Sequence, residues 1–89
     1  MKEVFTTSQY RRDIKKYAHD KRKLQALYAV IDKLRRGITL SPTNRQHFLH
    51  GEYEGCLECH IGGDFLLIWI EENSITLVRV GTHSSLFGH

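Results

Sequence analysis

The chain has 89 residues, of which 40% are hydrophobic and 26% are charged, and its formal net charge is +3. This is the composition of a single globular domain over residues 1–89, and it excludes collagen-like, low-complexity and transmembrane classes. We expect a soluble cytoplasmic protein, because charged residues occur too early in the sequence for a signal peptide.

Charge is distributed unevenly along the chain. Residues 11–36 hold ten of the thirteen Lys and Arg against three Asp, a net charge of +7, whereas residues 47–72 hold six acidic residues and no Lys or Arg. A concentrated basic surface suits a polyanion such as RNA or DNA. The simpler interpretation is that the basic residues form the solvated faces of two helices, and both interpretations remain open.

The first part of the chain predicts a short strand followed by two helices. Residues 2–6 favour a strand, and Thr7 and Ser8 are N-cap residues that open a helix reaching about residue 19. A second helix is indicated by an apolar stripe and ends before Gly37, a residue suited to a C-terminal cap. The stripe consists of Leu24, Leu27, Tyr28, Ile31 and Leu34.

The second half of the chain changes to a period of two, which is typical of strands. Residues 38–51 contain several turn-forming residues and predict a loop. Strands are predicted over 55–61, 65–70 and 74–80, and the middle one is apolar throughout, so both of its faces should be covered. The order strand–helix–helix–strand–strand–strand predicts an α+β fold, with a small antiparallel sheet and the two N-terminal helices packed on one side.

The string Cys56-Leu-Glu-Cys59-His60 matches the attachment motif of c-type haem. Strand alternation points residues three apart to opposite faces, so Cys56 and Cys59 should diverge, which argues against haem and against zinc. We predict two ordinary reduced cysteines, and neither a metal nor a cofactor.

The same alternation assigns the faces of this strand. Leu57, Cys59 and Ile61 form the natural core face, and His60 therefore stands outside the core at a strand end, next to the turn that bears Asp64.

Histidines are the candidate acid–base residues, because an unperturbed imidazole titrates near neutral pH. His47, His60 and His83 lie around the predicted strands, and their convergence at one edge would form a general acid–base site. Arg79 shares the face of His83 if the extended conformation continues, and a guanidinium there could balance charge on a phosphate. Taken singly, each histidine is more often a surface or hydrogen-bonding residue.

Three aromatic rings, those of Phe65, Trp69 and Phe87, are candidates for stacking on bases, an interaction that contributes ~1–3 kcal/mol per base. Phe87 lies in a short segment where burial is less assured, which favours a ligand role. For Phe65 and Trp69, core packing is the stronger default.

Three groups of residues point to a family. They are the run His47-Phe-Leu-His-Gly51, the residues Gly55, His60 and Asp64-Phe-Leu-Leu-Ile68, and the ending Arg79-Val-Gly-Thr-His83-Ser-Ser-Leu-Phe87-Gly88. Over nearly its whole length the chain resembles the YafQ branch of RelE-type toxins, the toxin halves of bacterial type II toxin–antitoxin pairs. The resemblance implies a small antiparallel sheet against two N-terminal helices. It also implies a ribosome-dependent endoribonuclease that cuts mRNA in the decoding site and is held inactive by a cognate antitoxin.

The resemblance also implies roles for individual residues, without a metal. The catalytic and substrate-contacting positions of the family fall on His47, His60, Asp64, His83 and Phe87, with Phe65 where a tryptophan is often seen and Arg79 at a basic position. We expect His47 or His60 to act as base and His83 as acid. Arg79 would stabilise the phosphate, and Asp64 would orient an imidazole. Leu57 stands where relatives commonly carry arginine, which would lower the rate or place more weight on Arg79.

An alternative is a non-catalytic module that binds nucleic acid or assembles a repressor, with operator DNA contacted through the antitoxin. A toxin-like protein whose catalysis has decayed is a third possibility, which the loss of arginine at Leu57 keeps open. For the enzyme, we expect the basic helices to contact ribosomal RNA and the acidic residues of 47–72 to face away from substrate.

Overall fold

A five-stranded sheet and three helices account for most of residues 1–88, the part of the chain that the computed structural model describes. The elements in chain order are β1 (Val4–Thr6), α1 (Ser8–Lys15), α2 (Lys21–Arg36), β2 (His47–Phe48), β3 (Leu57–Gly62), β4 (Phe65–Glu71), β5 (Ile75–Gly81) and α3 (His83–Phe87). Two 3-10 turns, Pro42–Asn44 and Gly51–Tyr53, flank β2. Within residues 1–88, no helix combines the length and the apolar character needed to cross a bilayer.

The strand order in the sheet is β1-β5-β4-β3-β2. Neighbouring strands are antiparallel, with the exception of β1 and β5, which are parallel and place Val4 opposite Ile75. A parallel pair needs a long crossover connection, and the two helices and three strands between β1 and β5 supply one. The predicted α+β fold with two N-terminal helices is confirmed, and the parallel β1 is a correction to a wholly antiparallel sheet.

Helices α1 and α2 have capping residues at their ends, of which the sequence predicts Thr7 and Gly37. The side chains of Thr7 and Asp20 each accept the backbone N–H three residues later, which satisfies one of the free donors at a helix start. Gly37 ends α2 in the left-handed region, with φ 72°. The buried face of α2 consists of Leu27, Val30 and Leu34. Tyr28, which belongs to the predicted apolar stripe, is instead 54% exposed.

The sheet separates two apolar clusters. The larger one lies between the sheet and the helices and includes Leu57, Cys59 and Trp69, as predicted for the core face of β3. On the opposite face, α3 and the loop after β2 cover a smaller cluster that contains Cys56 and Ile68. Both faces of the middle strand β4 are apolar, and one of the two clusters covers each face. This second cluster also buries the face of β3 that was expected to be open to solvent.

The cysteines behave as predicted, since both are free, both are buried and they lie in different clusters. Burial raises the pKa of the Cys59 thiol to about 12, and it also raises the pKa of the Cys56 thiol. Thiols held protonated in this way are poor nucleophiles and poor metal ligands.

The sequence patterns do not predict two of the elements, β2 and α3. The strand β2 has only two residues, too few to show alternation, and it lies in the segment predicted as a loop. The helix α3 replaces the extended chain expected after β5. It starts with a capping box in which the hydroxyls of Thr82 and Ser85 each accept the other's backbone N–H. Helix α1 ends at Lys15, earlier than the predicted boundary near residue 19.

Candidate functional site

One row of residues crosses the sheet on the face opposite the long helices. His47 pairs with Glu58, Glu58 with Ile68, and Ile68 with Arg79, so all four side chains project from the same face. His60 lies two residues after Glu58 on β3 and shares this face. Sheet registry thus brings together four polar residues from three strands, which are His47, Glu58, His60 and Arg79. We call this surface the histidine face.

Asp64 and His83 form the most closely coupled pair at this end of the sheet. One carboxylate oxygen, Oδ1, lies 2.5 Å from ring Nδ1 of His83 and 3.0 Å from its backbone nitrogen. The backbone N–H bond, followed by the ring contact, lowers the pKa of Asp64. A carboxylate that accepts Nδ1–H leaves Nε2 as the nitrogen that exchanges protons with a ligand, and it stabilises the imidazolium form.

His60 faces this pair. The ring centroids of His60 and His83 are 5.9 Å apart and the rings are tilted by 61°. No residue among 1–88 forms a hydrogen bond with the ring nitrogens of His60, whose strand position is fixed by Asn44 donating to its backbone carbonyl at 2.8 Å. The predicted convergence of His60, Asp64 and His83 is therefore present in the fold.

His47 is held differently from the other two histidines. Its Nε2 lies 3.2 Å from Oε1 of Glu58, and its Nδ1 lies 2.7 Å from the carbonyl oxygen of Arg45. Its side chain is 47% exposed, whereas that of Glu58 is 4% exposed. The structure places His47 on the histidine face as predicted, with both ring nitrogens already engaged.

Arg79 is part of a buried ion pair with α1. Its Nε donates to Oδ2 of Asp13 at 2.7 Å and its Nη2 donates to Oδ1 at 3.1 Å, while Nη1 donates to the hydroxyl of Tyr53 at 3.1 Å. Only 16% of the Arg79 side chain is exposed. Through its bond to Tyr53, the guanidinium contacts a residue beside the histidine face. Its other two bonds named here go to Asp13 and join β5 to α1.

Asp13 also satisfies a backbone donor of the sheet. Its Oδ2 accepts the N–H of Val80 at 3.1 Å, just beyond the last residues of β5 that pair with β1. Burial opposes ionisation of this carboxyl, but the bonds from Arg79, Val80 and Gln9 together lower its pKa. The Asp13–Arg79 pair thus joins the first helix to the strand that leads into α3.

Phe87 completes an aromatic edge beside the histidines. Its ring centroid is 6.1 Å from that of His83 and 6.0 Å from that of Tyr53, to which it is nearly perpendicular. The ring is half-buried. This position suits the predicted stacking contact with a base.

Phe65 occupies the other side of the sheet. It is 1% exposed, belongs to the cluster under the helices and packs on Tyr17 with ring centroids 4.7 Å apart. The stacking role predicted for it therefore needs correction, because the ring is a core group. Leu57 is buried in the same cluster, so its side chain faces away from the histidines.

The acidic residues of 47–72 are partly neutralised by partners. Glu58 and Asp64 contact histidines, and Glu71 contacts Lys2 at 3.3 Å. The basic residues of α1 and α2 are mostly exposed on the other side of the sheet from the histidine face. Tyr17, in the turn between α1 and α2, packs on Phe65, and Lys23 lies 5.9 Å from the centroid of the Phe65 ring, which places basic charge at the sheet end that carries Asp64.

Three site residues have no distinguishing signal in the sequence. A carboxylate within a strand is usually solvated, and only the pairing of Glu58 with His47 reveals its place in the site. Arg45 lies in the segment predicted as a loop, and Tyr53 belongs to no recognisable pattern. Within residues 1–88, no group of three His, Cys, Asp or Glu is arranged to hold a metal ion.

Comparison with known proteins gives a consistent result. Residues 2–88 match the family described as the YafQ bacterial toxin of type II toxin–antitoxin systems. The chain is 28% identical to the mRNA interferase toxin YafQ of Escherichia coli K12, with 98% of this chain and 97% of that protein covered. It is 32% identical to a metal-bound toxin from Helicobacter pylori, with a TM-score of 0.88 over 98% of this chain and all of the other. The E. coli DinJ–YafQ toxin–antitoxin complex matches with 25% identity and a TM-score of 0.86 over 98% of each chain.

Proposed function

Because the chain belongs to the YafQ family of bacterial type II toxins, we propose that it is an endoribonuclease that cuts mRNA on the ribosome. The observation that carries the proposal is the cluster of His60, His83 and Asp64 at one end of the sheet. Two imidazoles 5.9 Å apart between centroids can reach the same phosphodiester. Positioned proton transfer of this kind contributes about 10²–10⁴-fold to a rate.

The proposed reaction is attack by the ribose 2′-hydroxyl on the adjacent phosphate. A base removes the 2′-OH proton, the 2′-oxygen forms a bond to phosphorus, and the bond to the 5′-oxygen breaks. An acid gives a proton to the departing 5′-oxygen, which leaves a 2′,3′-cyclic phosphate and a 5′-hydroxyl. No metal takes part in this scheme, and holding the mRNA in the ribosome supplies alignment.

The contacts of each histidine support a division of roles. His60 is the proposed base, since no group in residues 1–88 occupies its ring nitrogens. His83 is the proposed acid, because Asp64 contacts its Nδ1 and leaves Nε2 towards the ligand. Phe87 beside His83 is the proposed stacking group for a base. The remaining donor capacity of Arg79 would contribute charge at the phosphate.

The proposed partners follow from the family and from the charge distribution. A cognate antitoxin would bind and neutralise the toxin in the cytoplasm, as DinJ binds YafQ in E. coli, and would make any contact with operator DNA. The exposed basic residues of α1 and α2 would contact ribosomal RNA. Contacts of this type release counterions, so ribosome binding should weaken steeply as salt is raised. If the affinity for ribosomes does not change with salt, the basic helices are not part of the interface.

The experiment that tests the proposal compares His60→Ala and His83→Ala with the wild-type protein in primer extension on one message, with and without ribosomes. Each substitution should lower cleavage at least 100-fold while thermal unfolding stays cooperative. The control is His50→Ala, because the His50 side chain is 86% exposed and lies 3.8 Å from the exposed carboxylate of Glu54. Full cleavage by both site variants would refute the proposed mechanism. Nucleic-acid binding by a wild-type protein that never cuts would support the non-catalytic module instead.

A further inference from the structure

Helix α3 carries a proposed site residue at each of its two ends. His83 is its first residue and Phe87 its last, and the helix has only five residues. A helix this short is not stable on its own, so contacts with the rest of the fold determine where both side chains lie. Asp64 holds the start of the helix through its bonds to His83. At the other end, the Phe87 ring contacts the ring of Tyr53, with the centroids 6.0 Å apart.

We propose that Tyr53 is a positioning residue that holds the end of α3, so that the Phe87 ring stays where it can stack on a base of the mRNA. This inference rests on the proposed endoribonuclease function, which assigns the stacking contact to Phe87. It adds a residue from the loop between β2 and β3 to the site. It also separates the contacts that hold the stacking ring from those that hold the proton-transferring His83.

The geometry of the Tyr53–Phe87 pair supports this role. The two ring planes meet at 83°, an arrangement that aromatic pairs favour. Whichever ring presents its edge, at least one face of Phe87 is not covered by Tyr53. Phe87 is half-buried, and both side chains pack against the apolar cluster that contains Ile68 and Leu86. The pair therefore restrains the Phe87 ring without enclosing it.

The hydroxyl of Tyr53 is anchored to the strand that precedes α3. Its oxygen accepts a hydrogen bond from Nη1 of Arg79 at 3.1 Å. The same guanidinium donates to both carboxylate oxygens of Asp13, at 2.7 and 3.1 Å, and its Nη2 lies 3.5 Å from the carbonyl oxygen of Ser85 in α3. Bidentate pairs of this type fix the orientation of the guanidinium. Tyr53 is thus attached to a group whose position is set by α1 and β5.

The backbone at Tyr53 is also fixed. Tyr53 ends the 3-10 turn Gly51–Tyr53, and its carbonyl oxygen accepts the N–H of the buried Cys56 at 2.9 Å. The carbonyl oxygen of Cys56 in turn accepts the N–H of Leu49 at 2.9 Å, which closes the loop between β2 and β3. A ring that is held at its backbone and at its hydroxyl can act as a fixed support for Phe87.

Loss of the Tyr53 ring should affect the binding of mRNA more than the chemical step. A base that stacks on Phe87 does so before and during the reaction, and loss of an interaction made equally in both states raises KM and leaves kcat unchanged. The bonds between Asp64 and His83 do not involve Tyr53, so the proton-transferring end of α3 should stay in place.

Cleavage kinetics on ribosomes that carry one mRNA test the inference. Tyr53→Leu removes the ring, and we expect KM to rise about 10-fold while kcat changes less than about threefold. Tyr53→Met is a second variant without the ring, and its flexible side chain fills the space differently if Tyr53→Leu fails to fold. Tyr53→Phe keeps the ring and loses only the bond from Arg79, so KM should rise no more than about threefold.

The matched control is Phe5→Leu, which also replaces an aromatic ring by an aliphatic side chain. Phe5 lies on the edge strand β1 and is 51% exposed. This variant should cleave with the KM and kcat of the wild-type protein, and thermal unfolding of every variant shows that it is folded at the assay temperature.

A double-mutant cycle with Phe87→Leu identifies the path through which Tyr53 acts. Two substitutions that remove the same contact do not have additive effects. Tyr53→Leu should therefore change kcat/KM by less than about twofold when Phe87 has already been replaced by Leu. An undiminished effect in that background would overturn the inference, because Tyr53 would then contact the RNA itself or only support the fold.

The outcomes separate this inference from the proposed function. Wild-type protein that cuts mRNA, with Tyr53→Leu at an unchanged KM, would overturn the role of Tyr53 and leave the endoribonuclease proposal standing. Equal losses in Tyr53→Phe and Tyr53→Leu would also overturn that role, because the ring contact would not carry the effect. Wild-type protein that cuts no mRNA on ribosomes would overturn both proposals.

Discussion

A single oxygen of Asp64 accepts two bonds from His83, one from the ring and one from the backbone that begins α3. The carboxylate therefore fixes both where the helix starts and how its first side chain is oriented. It comes from the turn between β3 and β4, 19 positions earlier in the chain. The turn and the helix are coupled by this contact.

The first prediction concerns Asp64→Asn. The amide keeps a hydrogen-bond partner for the backbone of His83 but no longer stabilises an imidazolium. Cleavage should fall about 10²–10⁴-fold, with only a small change in thermal stability because the Asp64 side chain is 57% exposed. Primer extension and a thermal melt measure the two effects. An equal loss of stability and activity would show that the contact is structural.

The second prediction concerns Gly81→Ala. A Cβ at this position would lie 2.5 Å from Oγ of Ser85, an atom held by the capping box of α3. Since Ser85 cannot move without losing that cap, the helix should shift and carry His83 and Phe87 with it. We expect a loss of about 1–3 kcal/mol in the free energy of unfolding and a larger relative loss of cleavage.

The control for this variant is Gly62→Ala. Gly62 lies in the same sheet, and a Cβ there would meet no atom within 4 Å. Urea unfolding should show that it costs much less than Gly81→Ala. If the two variants lose similar amounts of unfolding free energy, the contact between position 81 and Ser85 does not determine the position of α3.

The third prediction is a pH dependence carried by Asp13. Its pKa in the folded protein lies below its ordinary value of 3.8, so its contribution to stability is complete above about pH 4 and is lost as the pH falls through the folded pKa. At pH 7, Asp13→Asn leaves Arg79 without its charge partner and should destabilise the protein by about 3 kcal/mol. In more acid solution the variant and the wild type should converge.

Urea unfolding at pH 7 and pH 2.5 measures that convergence. Asp32→Asn is the matched control, because Asp32 forms an exposed ion pair with Arg36 and its loss should change stability by less than about 1 kcal/mol. A gap between wild type and Asp13→Asn that persists undiminished in acid would contradict the linkage.

The fourth prediction concerns the effect of the buried carboxylate of Glu58 on stability. Glu58→Met removes a carboxylate whose Oε2 has no hydrogen-bond partner within residues 1–88, so the thermal midpoint should stay equal or rise. His47→Ala removes the one charged or titratable side chain within residues 1–88 that contacts this carboxylate, and it should cost about 1–3 kcal/mol. Thermal melts of the two variants side by side give the answer. A large destabilisation by Glu58→Met would mean that the carboxylate supports the fold.

Local sequence signals predicted the regular elements well. The caps at Thr7 and Gly37 and the period-two pattern of the last three strands are short-range features, and the structure contains them. The elements that the sequence patterns do not predict, β2 and α3, depend on residues that are distant in the chain. A two-residue strand exists only because β3 pairs with it, and α3 starts where Asp64 supplies an acceptor.

In the candidate site, too, local signals predict some features, whereas others depend on residues that are distant in the chain. His60 and His83 could be placed at one end of the sheet from strand boundaries alone, and the structure brings them together. Strand alternation could not reveal that the face of Glu58 is covered, because the covering residues come from α3 and from the irregular loop after β2. For the same reason it could not show that Arg79 is already engaged by Asp13, which lies 66 positions away.

The parallel pairing of β1 with β5 has a consequence for the order of folding. Val4 finds its partner only when Ile75 has been placed, so the sheet acquires its fifth strand by closing a loop of about seventy residues. Such long-range pairings slow folding relative to helical domains of equal size. Refolding should therefore show helix formation well before the β1 edge becomes protected from hydrogen exchange, and the ion pair between α1 and β5 should form among the last contacts.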